Sequence, residues 1–288
     1  MKNSVLLAFI LVCCTSFMPA RQWTQLIGND LSQWEMYISY KLKNGYKGDA
    51  PVDSLGNLMK PVGYNKNINN MFSLIKENGE SVIKVSGEYY GCLFTKKAFG
   101  NYHLIMQTKF GNKKWEPRLH ELKDAGLLYH GNGPCGVDYF RSWMLSQEFQ
   151  IQDTCTGDYW NIANAQTSVK CIQKANGEYQ ANLTDGAFVS MGVGTGKQGF
   201  CQRAANYENA GGEWNTIELI CFEDKSVHIV NGRVVMVLQN SAYWDGTKSV
   251  AMTRGKLSLQ SEACEVYYKN MRLKNIDKMP VEYAQYFK

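Results

Sequence analysis

Trp214-Asn-Thr-Ile-Glu-Leu-Ile-Cys-Phe-Glu-Asp-Lys-Ser-Val-His-Ile-Val-Asn-Gly-Arg-Val-Val-Met-Val-Leu238 is where the chain states its secondary structure most plainly. Ile217, Leu219 and Cys221 fall on one face at a period of two, the signature of a half-buried strand. The acidic turn Glu223-Asp224 interrupts the pattern, and Val227 and Ile229 resume it. Asn231-Gly232 then separates two apolar runs. A type I′ hairpin turn needs positive φ at both central residues, and this pair supplies it most readily. Trp214 and Asn215 are expected to begin the first strand and pack in the core.

The same period recurs on both sides. Ile83 and Val85 flank Lys84; Tyr102, Leu104, Met106 and Thr108 alternate with His103, Ile105 and Gln107. Phe149 and Ile151 alternate with Glu148, Gln150 and Gln152, Leu257 and Leu259 form a short strand, and Val266 to Ile276 the last. No segment carries the 3.6-residue period of a long amphipathic helix, so helical-bundle and α/β folds fall away. The pattern predicts an antiparallel all-β sandwich. Residues 41–70 are dense in Lys, Gly, Asn and Asp without periodicity, and read as a long functional loop or lid. Residues 160–213 read as long excursions, and 21–288 as a single domain.

The composition agrees. Of 288 residues, 12% are aromatic and 20% charged, which excludes a disordered or coiled-coil chain. A net charge of +5 without dense Lys/Arg blocks argues against nucleic acid as a partner. Lys2, the apolar run Val5–Val12 and the residues from Cys13 and Cys14 to Ala20 read as a secretory signal over 1–20. Cleavage near Ala20 and lipoprotein processing before Cys13 or Cys14 are both open, although Val12 is large for a lipoprotein box. Export to the periplasm or outer envelope follows, with membrane attachment only through a lipid anchor. Seven cysteines remain: Cys92, Cys135, Cys155, Cys171, Cys201, Cys221 and Cys264. Export permits disulfides, but an odd count leaves at least one thiol outside any internal pairing. No CxxC pair is present, so a zinc ribbon or a thioredoxin-like site is not expected.

Two motifs mislead. Gly192-Val-Gly194-Thr-Gly196-Lys197 imitates a phosphate loop, but Gln198 stands where Ser or Thr is required. Gly194, Gly196 and Gly199 fit a dinucleotide fingerprint without the βαβ context that gives it meaning. Asn182-Leu-Thr184 is a glycosylation sequon of a kind common by chance. The informative stretch is Tyr129–Ile162. There Glu148, Gln150 and Gln152 project from one face of a strand whose other face is Phe149 and Ile151. Beside Trp143, Tyr159 and Trp160 such a row suits a sugar, whose CH patches stack on rings while its hydroxyls seek acids and amides. Asp153 follows Glu148 at an odd offset; a β-bulge between them would bring both carboxyls into one cleft. Taken singly, each residue also has a plainer reading: His130 as a structural histidine, Arg141 as a surface ion-pair partner, Gln260 as an edge polar residue or a cleft-lining one.

At these residues the chain resembles a known family. Gln22-Trp23-Thr-Gln-Leu-Ile-Gly-Asn-Asp-Leu-Ser-Gln-Trp34 resembles the opening "W…LFNGKDLSGW" of the 3-keto-disaccharide hydrolases. Phe99-Gly-Asn-Tyr-His-Leu is similar to "FGDFEL", Ala125-Gly-Leu-Leu-Tyr-His130 to "SGI", and Glu148-Phe-Gln-Ile to "YEVQI". Glu213-Trp-Asn, Val230-Asn-Gly-Arg, Gly255-Lys-Leu-Ser-Leu-Gln260 and Asn270-Met-Arg-Leu-Lys-Asn-Ile complete the series in order. The resemblance implies a concanavalin A-like jelly-roll β-sandwich of two antiparallel sheets, and carbohydrate chemistry. The fold is also similar to the laminarinase type, whose active strand reads Glu-x-Asp-x-x-Glu. Here Gln150 replaces the middle Asp and Asp153 is shorter than Glu, which argues against two-carboxylate double displacement.

A 3-keto-glycoside offers another route. Its carbonyl acidifies the C2 proton, the C1 substituent leaves by elimination, and water adds to the enone. One base, an enolate stabiliser and an acid for the leaving oxygen suffice. On this reading Glu148 or His130 is the base and Asp153 the acid. Gln150, Arg141 and Gln260 contact the sugar, and Tyr129, Trp143 and Trp160 form a stacking wall. His130 with Glu148 would also help hold a divalent metal on the enolate, although no spacing demands one. The alternatives are a non-catalytic, lectin-like carbohydrate-binding module and a structural envelope protein.

Overall fold

The computed structural model describes residues 22–209 and 212–288; the segment read as a secretory signal lies outside them. Strand occupies 50% of the molecule and helix 4%, so the all-β expectation holds. Two antiparallel sheets stack as a jelly-roll sandwich. The smaller sheet runs in the order Phe200–Cys201, Tyr159–Ile162, Leu145–Gln152, Asp124–Asn132, Lys256–Ser261, Gly91–Thr95, Trp34–Ile38 and Gly63–Tyr64. The larger places Tyr102–Lys114 between Asn215–Phe222 and Cys264–Asn275, with Lys225–Val230, Arg233–Trp244 and Ala165–Gln173 following on one side.

The hairpin that spans Trp214 to Leu238 folds as its pattern requires. Ile217, Leu219 and Cys221 face the smaller sheet in the main core, while Ile220, Val227, Ile229 and Val237 form a separate cluster on the outer side. That outer cluster is capped by Tyr283 and Phe287 of the C-terminal turns. Asn231 and Gly232 both take positive φ (47° and 75°), and Val230 pairs with Arg233 across the turn. Trp214 departs from expectation. It is only partly buried, because the Lys109 and Lys269 ammonium groups lie over its ring at 4.6 and 4.7 Å. The tryptophan ring and the two cations satisfy each other on the sheet's outer face.

Residues 160–213 also differ from their reading as excursions. Ala165–Gln173 is an interior strand of the larger sheet, paired on one side with Arg233–Trp244 and on the other with Ala187–Gly192 and Tyr179–Ala181. Its mixed sequence Ala-Gln-Thr-Ser-Val-Lys-Cys-Ile-Gln hid the period. Gly192, Gly194 and Gly196 all take positive φ in the turn that follows, consistent with a turn and not a phosphate loop. Residues 41–70 form a long connection as expected. It is anchored where Tyr46 Oη donates to the Tyr139 carbonyl (2.8 Å) and the Arg141 Nε to the Gly48 carbonyl (2.9 Å).

Candidate active site

The strand Leu145–Gln152 has two faces with different tasks. Phe149 and Ile151 enter the main core with Tyr129, Leu127 and Ala125 of the neighbouring strand. The alternate residues Glu148, Gln150 and Gln152 turn away from that core and line a cleft of about 850 Å³. Cross-strand register fixes their neighbours. Glu148 lies opposite Leu128 on one side and Trp160 on the other; Gln150 lies opposite Gly126, and Gln152 opposite Asp124.

Gly126 makes room for the chemistry. A Cβ at this position would sit 2.2 Å from Glu148 Oε1 and 2.6 Å from Gln260 Oε1. The missing side chain is therefore a slot into which the carboxyl and the amide from two flanking strands both lean. Arg118, from the loop before, reaches the same floor. Its guanidinium pairs with Asp124 (2.7 Å) and Glu262 (3.2 Å), and Gln152 Nε2 donates to the same Asp124 oxygen at 2.6 Å. Glu148 stands outside these ion pairs.

Two of the three buried carboxyls thus share one cation, and Glu148 has none of its own. Burial pushes Glu148 well above the usual carboxylate range, the neighbouring Asp124 charge adds to the rise, and the Gln260 amide opposes it. Glu262 is raised by burial and by Asp124 against the pull of Arg118. Asp124 is raised by burial to about 6, with Arg118 and Gln152 holding it back. Asp124 is the carboxyl that the cation and the amide favour ionising first. Several buried polar atoms here have no partner within the protein: Asp124 Oδ1, Gln150 Oε1, and both Gln260 Nε2 and Oε1. Unspent hydrogen-bonding capacity at the floor of a cleft is what a polar ligand would use.

The walls are aromatic. Trp160 packs on Phe200 at 4.3 Å between ring centroids. Opposite, Trp143 donates its indole N–H to the Gly91 carbonyl (2.9 Å) and meets Phe140 edge-on at 5.3 Å. Asp138 holds this rim: its carboxylate accepts the backbone N–H groups of Phe140, Ser142 and Trp143 at 2.6–2.8 Å. Asp158 and Arg203, paired at 2.9 Å, close the far end.

Of the residues singled out from the sequence, Glu148, Gln150, Trp143 and Trp160 line this cleft, and Gln260 lies beside Glu148. Four do not. His130 is fully buried on the opposite, inter-sheet side, where its Nδ1 lies 3.4 Å from Ser241 Oγ. A bulge between Tyr129 and Asn132, with His130 at φ 53°, turns the ring inward, and burial lowers its pKa to about 4. Tyr129 is likewise a core residue, with its hydroxyl beside Ser226 (3.0 Å) and His228 (3.1 Å). Asp153 keeps the parity of Ile151 and lines a different cavity with it, because the bulge expected between Glu148 and Asp153 does not form. Arg141 braces the rim against the 41–70 loop and is absent from the cleft lining.

The separation of His130 from Glu148 also dissolves the metal pair suggested by their sequence. Among the described residues, no group of three or more His, Cys, Asp or Glu side chains is disposed to hold a metal. Asp124, Glu262, Arg118 and Phe200 escaped the sequence reading. A signal for Asp124 was present: Gly126, isolated within the strand Asp124–Asn132, marks a close approach by another chain segment.

The 3-keto-alpha-glucoside-1,2-lyase-like domain family matches the chain over residues 22–274. No curated protein matches it in sequence. Among solved structures, two proteins from Parabacteroides distasonis proposed to be glycosyl hydrolases are similar to it. One shares 18% identity and covers 88% of this chain and 94% of its own, with a TM-score of 0.45. The other shares 14% over 88% and 100%, with a TM-score of 0.47. A Bacillus licheniformis β-glucanase shares 11% over 90% and 99%, with a TM-score of 0.38.

Proposed function

The chain belongs to the 3-keto-alpha-glucoside-1,2-lyase-like domain family, and from that premise we propose that it is an exported enzyme that cleaves the glycosidic bond of 3-keto-glycosides by elimination followed by hydration. The observation that carries this reading is a cleft walled by Trp160, Phe200 and Trp143 whose floor holds two buried carboxyls in different settings, Glu148 without an ion pair and Asp124 held by Arg118 and Gln152. Two carboxyls whose environments separate their proton affinities divide acid and base work between them.

In this scheme Asp124, steadied by Arg118 and Gln152, takes the C2 proton. The C–H electrons form the enolate, whose oxygen receives a hydrogen bond from an amide such as Gln260 Nε2. Collapse of the enolate restores the C3 carbonyl, forms the C1–C2 double bond and breaks the bond from C1 to the leaving oxygen. Glu148 gives that oxygen its proton. Water then adds at C1 and a proton returns to C2, which completes net hydrolysis and resets both carboxyls. Trp160 with Phe200 and Trp143 would stack on the sugar's apolar faces.

A chromogenic 3-keto-glucoside tests this directly. Wild-type protein should release the aglycone, and Glu148→Gln should slow turnover by roughly 10²–10⁴-fold while sugar affinity changes little. Sugar binding without any release, in wild-type protein with and without added divalent metal, would leave a lectin-like module as the reading.

A further inference from the structure

Two thiol pairs lie against the walls of the cleft. Cys92 Sγ, in the strand Gly91–Thr95, is 3.8 Å from Cys135 Sγ in the loop that leads to Asp138 and Trp143. Cys171, in Ala165–Gln173, lies opposite Ala181, whose N–H bonds the carbonyl of Gln202, the residue after Cys201; both cysteines are buried in the main core, and Cys201 is the neighbour of the wall residue Phe200. The remaining three, Cys155, Cys221 and Cys264, show no such thiol neighbour among the described residues. We propose that Cys92–Cys135 and Cys171–Cys201 are disulfide bonds of the protein matured in an oxidising compartment, one tying down each wall of the cleft.

The chemistry balances with a disulfide oxidant such as glutathione disulfide. One thiolate of each pair attacks the oxidant and releases a glutathione thiolate. Its partner thiolate then attacks the mixed disulfide and releases the second glutathione. Each pair loses two protons and two electrons, and one glutathione disulfide becomes two thiols. At 3.8 Å the Cys92 and Cys135 sulfurs are in van der Waals contact, so side-chain rotation with a small shift of the rim loop brings them to bonding distance. Cys92 is fully buried and Cys135 only 9% exposed. Oxidation therefore belongs to folding, before the loop seals over the strand, and the folded reduced protein should react slowly.

The test is to refold the full chain from denaturant in a glutathione redox buffer, alkylate the remaining thiols under denaturing conditions, and map the peptides by mass. Linked peptides are expected for Cys92 with Cys135 and for Cys171 with Cys201, each about 2 Da lighter than the dithiol form, with Cys155, Cys221 and Cys264 alkylated. Tm of the oxidised protein should exceed that of its reduced form by roughly 5–10 °C. The double variant Cys92→Ser/Cys135→Ser should lose one link and about half of that difference, and Cys171→Ser/Cys201→Ser the other. Should a double variant fail to fold, the comparison of oxidised with reduced wild type still decides. Alkylation of Cys92, Cys135, Cys171 and Cys201 alike, or links of any of them in another pairing, overturns the proposal; a map with one of the two links overturns the missing pair.

Discussion

At the scale of single residues, the site depends on an atom that is absent. Gly126 lacks the Cβ that would collide with Glu148 Oε1 and Gln260 Oε1, and its φ is not positive, so alanine meets no backbone obstacle. Gly126→Ala should therefore act through displacement alone. We expect turnover to fall by roughly a hundredfold or more, with stability lowered by about 1–3 kcal/mol from overpacking. Kinetics on a 3-keto-glucoside alongside thermal unfolding will check this; an active, fully stable variant would show that Glu148 has another position open to it. Asp138→Ala should behave differently. It strips the partner from three backbone N–H groups of the rim, so KM should rise several-fold with a smaller effect on kcat.

At the scale of elements, the Asn231-Gly232 turn is the sharpest local commitment in the chain. Asn231 also accepts the Thr216 N–H (2.8 Å) and donates to the Tyr207 carbonyl (2.7 Å), so its side chain ties the hairpin to two other segments. Asn231→Ala should cost about 1–2 kcal/mol, and Gly232→Ala about 1 kcal/mol for an L-residue at positive φ; denaturant titration measures both. This turn was legible because its chemistry is local. So was the polar row Glu148, Gln150, which needs only the two-residue period to reach one face. The rest of the cleft was not, because Arg118, Asp124 and Glu262 come from separate segments, two of them connections between strands, and meet only in the folded sandwich. His130 misled for a related reason: a bulge resets parity, and Tyr-His-Gly-Asn carries no mark of one. The bulge sits there, between Tyr129 and Asn132, and not beside Asp153.

At the scale of the whole molecule, the buried titratable groups pull stability in opposite directions with pH. Asp124 binds its proton more tightly folded than unfolded, at about 6 against an ordinary 3.8, and Glu148 and Glu262 are raised in the same sense. The stabilisation Asp124 gives is complete below pH 3.8 and is lost as pH climbs through about 6, and Glu148 and Glu262 act in the same direction. His130 and His228 run the other way, depressed to about 4 and about 3 from 6.5. What they contribute is complete above pH 6.5 and disappears as pH falls through those values. A stability optimum in mildly acidic solution follows. Glu148→Gln should raise Tm relative to wild type at pH 8 and leave it nearly unchanged at pH 5. Equal destabilisation at both would mean that the carboxyl is not buried with its proton.

The two-faced strand Leu145–Gln152 has one more consequence. Its Phe149 and Ile151 are sealed into the sandwich while Glu148 and Gln150 floor the cleft, so a slip of one residue would exchange oil for acid on both sides at once. Catalytic competence and the hydrophobic interior are two readings of one alignment. Neither can be half right. Activity and tertiary structure should vanish together along a denaturant gradient, and an inactive yet natively packed intermediate should be missing from that transition.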